Sequence, residues 1–144
     1  MPAQIQQLLD RKGCRVETVP EDATVCEAVA RMNAHQIGSL LVGEVDRPVG
    51  IFTERDVLVR VIVPHLDPTT TFVRDVMTRE LVTITPETTV AEAMTIVTER
   101  RCRHLPVTDG TTICGLISSG DLTSWVVRDQ RQLIDDLHGY IRAS

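Results

Sequence analysis

Aromatic side chains and lysine are both scarce in this sequence. Its 144 residues include two Phe, one Trp and one Tyr, so the core must be built mainly from Val, Ile and Leu. That composition suits buried strands covered by helices. Lys12 is the single lysine, and the formal net charge is −5. Because the chain carries no basic patch, nucleic-acid binding is disfavoured.

Metal-site spacing and long apolar runs are also missing. The four cysteines form no C-x-x-C pair and no cluster with histidine, so we expect small core hydrophobes and no bound metal. The most apolar run, VLVRVIV, is short and interrupted by Arg60, which excludes a membrane span there. The first residues lack the apolar segment of a secretory signal. A reducing cytoplasm is the expected location.

The chain overlays itself when it is shifted by 65 positions. Gly50 then falls on Gly115 and Asp56 falls on Asp121, without a gap from Thr24 onward. Repeats of this kind indicate a duplicated structural unit. We expect an α/β (α+β) fold of two β-α-β-β-α units.

Each unit contains the same order of predicted elements. Its first helix begins at Thr24 or Thr89, where Glu27 or Glu92 completes a capping box. The predicted segments, each with its second-unit counterpart, are the strands CRVETV and LVTITP, the helices EAVARMNAH and EAMTIVTER, the strands SLLVGE and HLPVTD, the strands VGIF and CGLI, and the helices VLVRVIV and LTSWVV.

These elements divide the chain into five parts. Residues 1–15 lead into repeat one at 16–64, a linker with a short helix spans 65–80, repeat two spans 81–127, and a helix spans 128–144. The last helix has an apolar stripe, formed by Leu133, Ile134, Leu137, Tyr140 and Ile141. Two interpretations stay open for this stripe: packing on its own chain, or contact with another subunit.

The phrase GIFTERDV, at residues 50–57, recurs as GLISSGDL at residues 115–122. Thr53 and Ser118 are positioned to cap a helix, with Asp56 and Asp121 three residues later. One interpretation is a capping box with an acidic residue near the helix N-terminus. The other is a nucleotide site, since a helix N-terminus favours phosphate and a carboxylate accepts bonds from ribose hydroxyls. The glycine that opens each phrase lets another group approach closely.

The candidate phosphate partners are distributed unequally between the two units. Arg55 lies inside the first phrase, and Arg103 and His104 begin a strand of the second unit. Their first-unit counterparts are Gly38 and Ser39, which carry no charge. The phosphate contacts of repeat one therefore stay open, with an arginine from the opposite repeat as one candidate to serve both sites.

With these motifs in view, the chain resembles a tandem pair of CBS domains. The resemblance rests on GIFTERDV, GLISSGDL, RDVMTRELVTITPETTVAEAM and RCRHLPV and runs from about Val16 to Val127. The flanking segments are similar to those of small stand-alone bacterial CBS-pair proteins. The resemblance implies a pseudo-twofold disc whose two clefts bind AMP, ADP, ATP, NAD(H) or S-adenosylmethionine, and a flat homodimer of two pairs.

The resemblance also implies roles for individual positions. The matched residues are Asp56 and Asp121 for ribose, Thr53 and Ser118 for the motif hydroxyl, Arg103 and His104 for phosphate, and Ile37, Gly38, Cys102 and Arg103 around the adenine. Arg55 and Ser39 complete the candidate set. The implied function is regulation of a separate target protein by a bound nucleotide, without catalysis. The alternatives are a structural module with vestigial sites, and an enzyme that acts on nucleotides or by thiol chemistry at Cys102, whose pKa Arg103 would lower.

Overall fold

The structure is a computed structural model that describes residues 2–143, with side chains described as far as residue 141. Its helices are α1 (Ile5–Lys12), α2 (Val25–His35), α3 (Glu54–Asp56), α4 (Val73–Val76), α5 (Val90–Arg100) and α6 (Ser119–Ala143), and a π-helical segment (Val57–Ile62) continues α3. Its strands are β1 (Thr18–Val19), β2 (Ser39–Glu44), β3 (Arg47–Thr53), β4 (His104–Asp109) and β5 (Thr112–Ser118).

The predicted duplication is confirmed by element boundaries. Helices α2 and α5, strands β2 and β4, and strands β3 and β5 each begin and end 65 residues apart. In repeat one, β2 lies between a parallel β1 and an antiparallel β3. In repeat two, β4 and β5 are antiparallel, and a parallel bridge from Ile84 to Val107 stands where β1 would be.

The first strand of each repeat is much shorter than the six residues predicted from the sequence. Strand β1 covers Thr18 and Val19, and its counterpart is the single bridge at Ile84. Proline follows closely in both repeats, at Pro20 and Pro86. Because proline has no backbone N–H, it cannot continue the ladder.

The predicted threonine N-caps of the first helices are present, but neither glutamate completes a capping box by accepting from the N–H of its threonine. The Thr24 hydroxyl accepts a bond from the N–H of Glu27 at 3.2 Å, and Thr89 accepts one from Glu92 at 3.1 Å. In the second repeat the Thr89 hydroxyl also donates to the Glu92 carboxylate, at 2.9 Å. The two caps fix the starts of α2 and α5, each of which packs its apolar face on the sheet of its own repeat.

The two short lead-in helices are exchanged between the repeats. Helix α1 precedes repeat one but docks on repeat two, where Ile5 N–H donates to the Thr88 carbonyl at 2.8 Å. Helix α4 precedes repeat two but docks on repeat one, where Val73 N–H donates to the Ala23 carbonyl at 2.8 Å. The core of repeat two accordingly contains Ile5, Leu8 and Leu9, and the core of repeat one contains Val73, Val76 and Met77.

The glycines that open the two phrases are needed because of this packing. A Cβ on Gly50 would lie 2.6 Å from the carbonyl oxygen of Thr78, and one on Gly115 would lie 2.5 Å from Cδ2 of Leu9. The group that approaches each glycine therefore belongs to the chain itself. It is the carbonyl of Thr78, just after α4, at Gly50, and the side chain of Leu9, in α1, at Gly115.

The last helix is continuous where the sequence suggested two. Helix α6 spans 25 residues and crosses position 127 without a break. Its apolar stripe is exposed: Leu133 at 61%, Leu137 at 54% and Tyr140 at 75%. Packing of the stripe on its own chain is therefore the wrong interpretation, and contact with another subunit stays a prediction. Within residues 2–143, none of the helices has the length and apolar content needed to cross a membrane.

The cysteines differ from the expectation of uniform core residues. Cys102 and Cys114 are half-buried and pack against the core of repeat two. Cys14 and Cys26 are exposed. For that second pair the prediction of small core hydrophobes is wrong, because Cys14 lies in the loop after α1 and Cys26 lies on the outer face of α2.

Candidate functional site

Both copies of the repeated phrase form complete capping boxes. In repeat one, Asp56 N–H donates to the Thr53 hydroxyl at 3.3 Å, and Thr53 N–H donates to Oδ2 of Asp56 at 3.0 Å. In repeat two, Asp121 N–H donates to the Ser118 hydroxyl at 3.1 Å, and Ser118 N–H donates to Oδ2 of Asp121 at 2.8 Å. The capping interpretation is confirmed, and each aspartate is held at the junction of a strand and a helix.

The remaining acceptor capacity of Asp56 is used within the chain. Its Oδ1 accepts a hydrogen bond from the Thr78 hydroxyl at 3.0 Å. Nε of Arg60 lies 3.6 Å from the same oxygen, and the Arg60 guanidinium also donates to the Met77 carbonyl at 2.7 Å. Asp56 is 5% exposed, so the chain itself covers this carboxylate almost completely.

Asp121 is less enclosed and is paired with the single lysine. Nζ of Lys12, at the end of α1, lies 2.6 Å from Oδ2 of Asp121 and 2.6 Å from the Leu116 carbonyl oxygen. Burial by itself would raise the pKa of Asp121, but the hydrogen bonds from Lys12 and Ser118 outweigh it and hold the pKa below its usual value. Its side chain is 29% exposed.

The starts of β2 and β4 meet between the two repeats. A Cβ on Gly38 would lie 2.7 Å from Oε1 of Glu54 and 3.4 Å from Nε2 of His104. Glu54 N–H donates to the Gly38 carbonyl at 3.0 Å, and Ser119 N–H donates to the Arg103 carbonyl at 2.8 Å. Each phrase is therefore tied to the beginning of its own sheet, and His104 borders the uncharged Gly38 of the opposite repeat.

His104 is enclosed at this junction. Burial lowers the pKa of its imidazole; Glu54 and Asp121 act in the opposite direction, and Lys12 and Arg103 reinforce the lowering. The environment of His104 therefore favours the uncharged imidazole.

The other predicted residues occupy varied positions. Arg55 and Arg103 are exposed, Ser39 is buried, and Ile37 packs against the core of repeat one. Burial raises the pKa of the Cys102 thiol. The expectation of a thiol activated by Arg103 is therefore wrong, because desolvation of the thiolate outweighs the opposing attraction, which comes from Arg100.

Four residues at these sites were not singled out from the sequence: Lys12, Glu54, Arg60 and Thr78. Of these four, only Lys12 stands out in the sequence, because it is the one lysine of the chain. Thr78 lies in the linker, and its relation to Asp56 depends on the docking of α4 on the opposite repeat.

A cavity of about 260 Å³ opens beside the Lys12–Asp121 pair, between α1 and α6. The guanidinium of Arg11 stacks over the Trp125 ring, 4.3 Å from its centroid. Three cations and one carboxylate line this cavity, which is formed by Leu8, Arg11, Lys12, Asp121, Ser124, Trp125 and Arg128. The balance of charge in the cavity favours an anion.

Comparison with known proteins agrees with the duplicated architecture. Residues 11–62 and residues 73–128 both match the CBS domain. The chain belongs to the CBS domain family. The resemblance seen in its motifs is thus confirmed, as is the mixed α/β fold of two CBS repeats.

Three relatives place the chain within the CBS family. The mitochondrial CBS domain-containing protein CBSX3 of Arabidopsis thaliana is 41% identical over 126 residues, which cover 84% of this chain and 61% of the plant protein. This chain thus spans less than two thirds of that relative's length. A solved CBS-domain structure from Burkholderia ambifaria MC40-6 is 37% identical, covering 89% of this chain and 96% of that one, with a TM-score of 0.84. The hexameric CBS-CP12 protein from bloom-forming cyanobacteria is 31% identical, covering 85% of this chain and 71% of that one, with a TM-score of 0.77.

Proposed function

We propose that this CBS pair is a sensor that binds an adenine nucleotide (AMP, ADP, ATP or NAD(H)) between its repeats and thereby regulates a separate partner protein. The observation that carries the proposal is the duplicated, capped aspartate. Asp56 and Asp121 are held in matching geometry 65 residues apart, beside the junction where Gly38 and His104 meet.

The ribose would bind by exchanging one hydrogen-bond donor for another. Its hydroxyls take the place of the Thr78 hydroxyl on Asp56, or of the Lys12 ammonium on Asp121. The cap bonds to the same carboxylates can persist, because backbone N–H groups provide them. The aspartate therefore keeps its orientation while its outer bonds change.

The phosphate and the adenine would lie toward the starts of β2 and β4. The exposed guanidinium of Arg103 and the imidazole of His104 supply positive charge there, and a phosphate beside His104 would favour its charged form. Ile37 and Cys102 provide apolar contact for the base. Repeat one contributes no charge to this junction, because its residue there is Gly38. Since His104 borders Gly38, Arg103 and His104 of repeat two would supply the positive charge for it.

Regulation and assembly would use the exposed apolar surface. The Burkholderia relative has been named as a candidate signal-transduction protein, and the cyanobacterial relative is hexameric. In this chain the stripe on α6 is exposed over two helical turns, through Leu133, Leu137 and Tyr140. A homodimer formed through that stripe would place two nucleotide sensors in one particle.

A second candidate, a structural module with vestigial sites, is favoured by one specific observation. Both aspartates already accept a bond from a side chain of the chain itself, Thr78 in one repeat and Lys12 in the other. On this reading the two bonds are simply structural, and the protein acts through its surface alone.

A calorimetric and thermal-shift panel separates the two candidates. Mass spectrometry of the denatured supernatant first establishes that no nucleotide has co-purified. AMP, ADP, ATP, NAD⁺, NADH and S-adenosylmethionine are then tested. A ligand at one hundred times its Kd should stabilise the fold by about 2.7 kcal/mol.

The variants are Asp56→Asn, Asp121→Asn and their combination, with the exposed Asp75→Asn as the matched control. Loss of a charge-assisted acceptor should weaken binding by about 1.5–3 kcal/mol per site. The sensor proposal fails if ligand-free protein binds none of the six compounds, or if the double variant binds them as tightly as the control.

A further inference from the structure

A second apolar surface, here called the π patch, is exposed on repeat one. It lies on the π-helical segment and the residue after it, and its four members are each at least half exposed: Leu58, Val59, Ile62 and Val63. The equivalent positions of repeat two carry Thr123, Ser124, Val127 and Arg128. The repeated fold therefore does not require this patch, because repeat two forms the same unit with mostly polar residues there.

The winding of this segment is also specific to repeat one. Residues 57–62 form a π-helix, whereas the equivalent residues 122–127 lie in the α-helix α6. A π-helical turn is rare and is found frequently at functional sites. An unusual winding and an exposed apolar face at the same place indicate a contact surface.

The stripe on α6 is a matching surface on the other repeat. From residue 128 to residue 141, every side chain of α6 is exposed. Most of the stability of a helix in a protein comes from packing of its apolar face, and the chain itself does not cover this one. The end of α6 therefore needs a surface from another molecule.

Acidic side chains flank this stripe. Asp129 lies one helical turn before Leu133, and Asp136 lies one turn from both Leu133 and Tyr140. Both carboxylates are on the exposed part of α6. One edge of the stripe is therefore negatively charged.

A basic side chain lies beside the π patch. Arg55 is exposed and precedes Leu58 and Val59 by one helical turn. The nearby carboxylate of Glu54 is turned toward Gly38 instead. A negative edge on the stripe and a positive charge beside the patch favour pairing of these two surfaces.

We propose that the α6 stripe of one copy packs on the π patch of a second copy, with a twofold axis that makes the two contacts equivalent. This pairing deepens the homodimer of the proposed function and does not require a bound nucleotide. A second copy fits because one chain carries both surfaces. Each contact joins the helix that begins beside Asp121 in one copy to the helical segment that follows Asp56 in the other.

The apolar area of the two surfaces agrees with a stable dimer. One contact brings together eight large apolar side chains that are each at least half exposed: Leu58, Val59, Ile62, Val63, Leu133, Ile134, Leu137 and Tyr140. With roughly 100 Å² exposed on each, two contacts bury on the order of the 1,600 Å² that a standard specific interface has.

A charge-exchange experiment on the full chain tests which surfaces meet. Ile62→Asp places a carboxylate on the π patch, and Leu137→Arg places a guanidinium on the stripe; both positions are exposed. Each variant alone should self-associate about tenfold or more weakly, since both contacts of its dimer then bury an unpaired charge. An equimolar mixture should recover the dimer, because one contact pairs the two new charges and the other is native. Native mass spectrometry measures the heterodimer, since the two variants differ in mass.

The matched control mixes Ile62→Arg with Leu137→Arg, which puts like charges at the same two positions and should give no heterodimer. Should Ile62→Asp not fold, Val63→Asp, at a position that is 70% exposed, takes its place. Recovery in the like-charge mixture would overturn the proposed pairing.

The other outcomes separate this inference from the homodimer on which it builds. If Leu137→Arg dissociates the dimer and Ile62→Asp does not, the stripe meets a different surface of the second copy; this inference is overturned and the homodimer stands. A native chain that is monomeric at every concentration excludes a second copy as the occupant and overturns both. Nucleotide binding, measured by calorimetry on the same proteins, is an independent result in every case.

Discussion

Leu9 of α1 packs against Gly115 of the second phrase so closely that a Cβ on the glycine would lie 2.5 Å from its Cδ2 atom. These two residues are 106 positions apart in the sequence and belong to opposite halves of the chain. Their contact is the clearest sign that the first helix completes the second core. Several consequences for stability and binding can be measured.

Alanine substitutions at three glycines should give an ordered series of stabilities. Gly50→Ala brings a Cβ to 2.6 Å from a backbone oxygen, which cannot yield, so we expect a loss of about 1–3 kcal/mol. Gly115→Ala meets the end of a flexible leucine and should cost less. Gly139→Ala meets nothing within 4 Å and should raise stability by up to about 1 kcal/mol. Chemical denaturation gives the series, and equal losses at Gly50 and Gly115 would contradict this packing.

Truncation of Leu9 should destabilise repeat two selectively. Leu9 is 2% exposed, and Leu9→Ala is expected to cost about 2–5 kcal/mol. Hydrogen exchange should show the largest loss of protection at Leu105 and Val107, in β4, and a smaller one at Leu40 in β2. Val73→Ala in α4 is the mirror-image control and should weaken β2 first. The exchange of lead-in helices is wrong if both variants loosen the same strand.

The Lys12–Asp121 pair should make the fold more sensitive to acid. Since the pKa of Asp121 is lowered in the folded chain, its contribution is present above the unfolded pKa of about 4 and is lost as pH falls through the lower folded value. Lys12→Met removes the main partner, so its stability should fall less steeply between about pH 5 and pH 2. Urea titrations across that range measure the difference. If the stability of both proteins falls equally steeply with pH, Lys12 is not the cause of the acid sensitivity.

His104 should impose a second pH dependence, at higher pH. Burial lowers the pKa of this imidazole, so its contribution to stability is present above the unfolded pKa of about 6.5 and is lost as pH falls below it. His104→Gln should therefore lose less stability than the native chain between pH 7.5 and 5.5. His138→Gln, on the exposed end of α6, is the matched control for loss of a histidine. A His104 variant with an unchanged slope would be evidence against this assignment.

Charge on the α6 stripe should change the oligomeric state. Leu137 is 54% exposed, and Leu137→Glu places a charge in the middle of the stripe, where a desolvated interface disfavours it. Light scattering should show a smaller particle for this variant at the same concentration. Gln132→Glu, on the opposite face of the helix, should leave the mass unchanged. A native chain that is already monomeric would exclude the homodimer.

Local features were predictable because the sequence specifies each of them twice, once in each repeat. Thr24 and Thr89 begin their helices, and Thr53 and Ser118 cap theirs, because a hydroxyl followed by an acidic residue makes a local structure with little dependence on the rest of the chain. One hydroxyl followed by an acidic residue is a weak signal, but its recurrence at equivalent positions made a consistent pattern. The resemblance to CBS domains rested on the same motifs.

The long-range features were not predictable in this way. Nothing in the spacing of α1 indicates that its apolar face packs on repeat two, because either core accepts Ile5, Leu8 and Leu9 on composition alone. The bonds of Asp56 to Thr78 and of Asp121 to Lys12 depend on that exchange. The sequence therefore indicated the candidate site residues but not the side chains that donate to the two aspartates.

Because α6 is one unbroken helix, it connects the Asp121 site directly to the exposed apolar stripe at its far end. Asp121 lies in its first turn and Tyr140 in its last, and 25 residues of α-helix extend over about 37 Å. If α6 moves as one rigid body, a tilt of about 5° at the first turn displaces the far end by about 3 Å over this length. If a nucleotide binds at Asp121 as we propose, a tilt of this kind would carry the effect to the exposed stripe at the far end of α6.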